Sequence, residues 1–74
     1  MKNYKFSIVI EQDKDGFFAY CPELQGCYTQ GNSYEETLEN IKDAIRLHLA
    51  DRTVRGESVS IPMSISLSTV EVAL

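Results

Sequence analysis

The stretch FFAYCPELQGCYTQGNSYEE, residues 17–36, decides how this chain folds. It opens on Phe17, Phe18, Ala19, Tyr20 and Cys21, a run rich in strand-forming aromatics. Pro22 ends that run, because a proline has no N–H to give to a sheet ladder. Leu24 is the one apolar residue of Pro-Glu-Leu-Gln-Gly, so it is expected to tuck under the sheet. Gly26 is expected to take a positive φ that other residues resist. Cys27–Gln30 then reads as a short third strand. At the far end Ser33 is a good N-cap, and Glu36 sits three residues later. That spacing predicts a capping box: the Ser oxygen accepts from the third helical N–H, and the Glu carboxylate accepts from the cap N–H. Glu35, Glu36 and Glu39 lie near the positive end of the helix dipole, while Arg46, Arg52 and Arg55 lie toward its negative end. The acidic pair therefore reads as helix initiation and not as a catalytic dyad.

Upstream, YKFSIVIEQ alternates, with Tyr4, Phe6, Ile8 and Ile10 in one phase and Lys5, Ser7, Val9 and Glu11 in the other. A period of two is the mark of a half-buried strand. DKDG, residues 13–16, supplies a tight turn with Gly16 left-handed, so the strand at 17–21 returns as a hairpin partner. Downstream, the helix is expected from Tyr34 to about Arg52–Arg55, with Gly56 as terminator. Tyr34, Leu38, Ile41, Ile45, His48 and Leu49 fall on one stripe, expected to face the sheet. His48, at its edge, reads as a packing residue. Leu47 and Val54 point the other way, with Ala50 between them and Ala44 nearby. After the helix, Val59, Ile61, Met63, Ile65 and Leu67 alternate with serines, which predicts a fourth strand; Pro62 favours an edge. The phase flips at Ser68–Thr69, so Val70, Val72 and Leu74 form a separate apolar run, open to pairing with a neighbouring chain. The expected architecture is α+β, in the order β-β-β-α-β: an antiparallel three- to four-stranded sheet with one helix packed on one face. A single domain is expected over residues 1–74.

A chain of 74 residues builds only a marginal core of its own. Its net charge of −4 argues against a phosphate-binding surface, so direct DNA binding is not expected, and it favours a basic protein partner. No apolar run approaches the roughly 18 residues of a membrane span, and no leader pattern opens the chain. A cytoplasmic location and no membrane contact are expected. Cys21 and Cys27 are spaced C-x5-C beside a single histidine, which matches no common zinc signature. They read as small apolar residues, with no disulfide expected in a reducing compartment. No cofactor is implied: GNSYEE lacks the lysine of a phosphate loop.

One helix can cover only one side of the sheet. Phe17 and Phe18 must point to opposite sides, as must Ala19 and Tyr20. Covering two aromatic rings is worth a few kcal/mol at about 25 cal/mol per Å², comparable with a small domain's whole stability. A second surface is therefore expected, either another copy of the chain, as a homodimer or tetramer, or a different protein. Phe18, Tyr20, Leu47, Val54, Val70 and Val72 are the candidate apolar contacts. Asp13, Asp15 and Glu23 are the candidate charged ones.

The run from Gly16 to Leu49 resembles the N-terminal domain of HicB-family antitoxins. The likeness rests on Gly16-Phe17-Phe18-Ala19-Tyr20, on the loop signature Pro22, Leu24 and Gly26, and on Thr29 through Leu38 with its Gly-Asn-Ser cap and Glu-Glu opening. Gln25 stands where a second proline is usual, and Thr37 where alanine is usual. The resemblance implies a truncated ribonuclease H-like fold whose role is to bind and neutralise a small basic HicA-like toxin that cleaves mRNA. The alternative is a self-associating domain of the same family with no toxin partner and a structural or small-ligand role. Many family members add a DNA-binding segment. Here the residues after Gly56 read as strand instead, so operator binding by this chain alone is not expected. Nor is nuclease chemistry: two-metal catalysis needs converging carboxylates, and residues 61–67 contain none.

Overall fold

The computed structural model describes residues 4–58 and 62–74. Three strands, β1 (Val9–Asp13), β2 (Gly16–Tyr20) and β3 (Tyr28–Gly31), precede one helix, α1 (Tyr34–Val54). The strands form an antiparallel meander in the order β1-β2-β3. The fold is α+β, with α1 lying across one face of the sheet. The β1–β2 hairpin is closed by Asp13 and Asp15: the Asp15 N–H donates to Asp13 Oδ1 at 2.7 Å, and Gly16 takes φ 143°. That bond is an Asx turn, the reason aspartate suits the first turn position.

The core lies between α1 and the sheet. Ala19, Cys21, Leu24, Cys27 and Ile41 are buried there, with Phe6, Ile8, Ile10, Leu38, Ala44, Ile45 and Leu49 packed around them. Leu24 reaches the core from a loop because three backbone bonds fold that loop beneath the sheet. Cys21 N–H donates to Cys27 O, Leu24 N–H to Cys21 O, and Cys27 N–H to Leu24 O, all within 3.0–3.1 Å. Gly26, at φ 82°, makes the reversal. The first strand's apolar phase begins at Phe6, yet the ladder starts only at Val9, because β2 ends at Tyr20, its partner. Before that point a side chain substitutes for the missing strand: the Ser7 N–H donates to both carboxylate oxygens of Glu23, each at 3.0 Å.

Four expectations are corrected. Among the described residues there is no fourth strand: residues 62–74 are exposed throughout and pair with no ladder, and residues 59–61 of the expected strand lie outside the described ones. Alternation prepares a segment for a sheet, but only a partner edge makes it a strand. Tyr34 is exposed and not part of the buried stripe, since it opens α1 beyond the end of β3. Ala44 belongs to the buried side, three residues on from Ile41. The capping box is half formed. Ser33 Oγ accepts from the Glu36 N–H at 3.0 Å, but among the described residues the Glu36 carboxylate takes no bond back from Ser33. A separate bond ties the cap to the first turn: the Thr37 hydroxyl donates to the Ser33 carbonyl at 2.7 Å.

Candidate functional site

The register decides what the open side of the sheet presents. Ala19 is buried toward the helix, so Phe18 and Tyr20, its neighbours in β2, point away from it. Tyr20 pairs with Val9 on one side and Tyr28 on the other, giving the row Val9–Tyr20–Tyr28. Phe18 pairs with Glu11 and Gln30, giving the row Glu11–Phe18–Gln30. These six side chains share the face that α1 does not cover. Phe18 is 37% exposed, Tyr20 41% and Tyr28 75%. Asp13 stands at the hairpin end of the same face, next to the turn residue Asp15, both exposed. A shallow depression of about 290 Å³ joins that end to the helix start, between Asp15, Phe17, Phe18, Asn32 and Glu36. The face is thus aromatic at its centre and acidic at one end.

The other named candidates do not converge on it. Leu47 and Val54 are exposed on the outer side of α1, 72% and 86%. Val70 and Val72 are exposed in the last segment of the chain. Glu23 lies in the β2–β3 loop, where its carboxylate accepts from the Ser7 N–H and from the Cys21 thiol at 3.5 Å. Pro22 is exposed at the rim of the loop that holds Leu24. Tyr28 was not among the candidates. Strand parity with Tyr20 was the signal that could have found it.

Cys21 and Cys27 are both free thiols and both buried. Burial, helped by the Glu23 carboxylate, pushes the Cys21 thiol up to about 11, and burial alone raises Cys27. Neither is a nucleophile at neutral pH, because the thiolate is the reactive form. Among the described residues no group of three His, Cys, Asp or Glu side chains is placed to hold a metal ion. No helix among them is long and apolar enough to cross a membrane.

A family model described as the HicB-like antitoxin of bacterial toxin–antitoxin systems matches residues 6–72. The chain belongs to that family. A UPF0150 protein of Helicobacter pylori is 60% identical to this HicB-like chain over 43 residues, 58% of this chain and 60% of the relative. A UPF0150 protein of Archaeoglobus fulgidus is 50% identical over 46 residues, 61% of this chain and 67% of the relative. One of Thermoplasma acidophilum is 38% identical over 56 residues, 74% of this chain and 81% of the relative. The alignments span 60% of the Helicobacter relative and 60% of a UPF0150 protein of Synechocystis. The loop around Leu24 and the Gly31–Ser33 helix entry are thus features of a HicB-like domain. They hold the sheet and α1 together and leave the aromatic face outward.

Proposed function

We propose that this chain is a non-catalytic, antitoxin-type binding domain, acting in the cytoplasm by covering the surface of a small basic protein that cleaves mRNA. The observation that carries this reading is the uncovered sheet face, where Val9, Phe18, Tyr20 and Tyr28 lie together beside Glu11. Tyrosine and phenylalanine at the centre of a patch with charge at its edge is the composition of a protein interface. A net charge of −4 speeds the approach of a basic partner and suits it better than nucleic acid. Inhibition by occupancy needs no catalytic group, and it blocks RNA because the acidic domain sits where the phosphates would.

The test is titration calorimetry of the purified chain against a small basic HicA-like protein from the same host, together with an RNA-cleavage assay. The expected result is a salt-sensitive complex that protects RNA in proportion to occupancy. An unaltered cleavage rate at saturating chain, or a complex indifferent to changes at Phe18 and Tyr20, would overturn the proposal.

A further inference from the structure

The second uncovered apolar surface is on the helix side of the sheet. The helix packs mainly over β3 and β2 and only lightly over β1, which is an edge strand. A groove of roughly 750 Å³ is left between α1 and the β1 side, walled by Phe6, Ile8, Leu38, Ile41, Ile45 and Leu49. Lys5, Lys42 and Arg46 line its rim, the last two paired with Glu39 and Asp43 on α1. An unpaired edge strand beside an apolar groove is a template for one more strand.

The chain contains a segment of the right pattern. In residues 69–74, Val70, Val72 and Leu74 share one parity, and Glu71 is the single charge. Six residues of strand span about 20 Å; the groove wall from Leu38 to Leu49 runs about 17 Å along the helix. Yet in its own chain this segment is elsewhere: it is exposed, pairs with nothing among the described residues, and leaves the groove open. The radius of gyration, 14.3 Å, exceeds the roughly 11 Å of a compact chain this long. The tail does not fold back onto its own domain.

We infer that residues 69–74 of a second copy lie along the edge of β1, with Val70, Val72 and Leu74 seated in the groove. The exchange is reciprocal: each copy gives its terminal segment and receives the other's, so a two-fold dimer closes with both grooves filled. The sheet gains its fourth strand from the partner, and the open face bearing Phe18 and Tyr20 remains free.

The test uses the full chain, half of it methyl-labelled, with isotope-filtered NOE measurements between copies. Contacts between the Val72 methyls of one copy and Ile45 or Leu49 of the other are expected. Light scattering is expected to give the mass of two chains, falling to one for Val72→Asp with the far-UV circular dichroism of the sheet and helix kept. Phe18→Ser is expected to leave the dimer intact. A monomeric native chain, Val72 contacts confined to one chain, or a dimer lost with Phe18→Ser but kept with Val72→Asp would each overturn the inference. None of these readouts involves a basic partner, so the result stands apart from the proposed antitoxin activity.

Discussion

Thr37 lies directly over Gly31. A β-carbon at position 31 would fall 2.5 Å from Thr37 Oγ1 and 3.0 Å from the Thr37 backbone nitrogen. The same hydroxyl donates to the Ser33 carbonyl, so β3, the helix cap and the first turn of α1 are locked at one point. Asn40 adds a second link one turn on, its Nδ2 donating to Gln30 O at 2.9 Å. Gly31→Ala is therefore expected to destabilise the domain by about 1–3 kcal/mol, the usual cost of overpacking. Thr37→Ala removes the hydroxyl but not the backbone nitrogen, so the double variant should recover only part of that loss. Urea unfolding of the two single variants and the double variant measures the coupling.

Leu24 is fully buried although it sits in the loop between β2 and β3. Leu24→Ala should cost about 2–5 kcal/mol, as for any core leucine. Because the loop also carries Glu23, which holds Ser7, the variant should speed hydrogen exchange at the Ser7 N–H more than at the middle of α1.

Ser33→Ala removes the acceptor of the Glu36 N–H and should cost about 0.5–2 kcal/mol. Glu36→Gln should cost much less, because its carboxylate makes no cap bond among the described residues and keeps only a favourable place near the helix dipole. Thermal melts of the two variants side by side give the order; a larger loss for Glu36→Gln would mean that the reciprocal box forms in solution.

The Cys21 thiol titrates near 11 in the folded chain against an ordinary 9.0. Between those values the unfolded chain loses a proton that the folded chain keeps, so stability falls as pH rises. The slope approaches 1.4 kcal/mol per pH unit for one such group. The urea midpoint should therefore drop more between pH 8.5 and 10.5 (roughly the window set by the shift) for the native chain than for Cys21→Ala. At neutral pH both thiols should react with iodoacetamide far more slowly than in urea.

Phe18→Ala and Tyr20→Ala remove partly exposed rings from the open face. Each should change stability by no more than about 1 kcal/mol. Against a basic toxin partner each should weaken binding at least tenfold, about 1.4 kcal/mol. Calorimetry and unfolding on the same samples separate the two effects.

Local order was readable in the residues themselves. The period-two run around Ile8, the Asp13–Gly16 turn, the proline stop at Pro22 and the Ser33 cap are each governed by chemistry within a few positions, so the three strands and the helix could be placed to within a few residues. The aromatic face was partly legible too, since Phe18 and Ala19 must diverge on any strand. Contacts between distant positions were not. Nothing in the sequence tells Glu23 to meet Ser7, Asn40 to meet Gln30, or Thr37 to press on Gly31.

The fourth strand separates the two kinds of information most clearly. Alternating Val, Ile and Leu after Gly56 states a capacity to pair, and sequence determines that capacity because side-chain parity is intrinsic to an extended backbone. Whether a ladder forms depends on which edge comes within hydrogen-bonding distance. That is a property of the assembled sheet: α1 covers β2 and β3 and touches β1 only lightly, and residues 62–74 join no strand among the described residues.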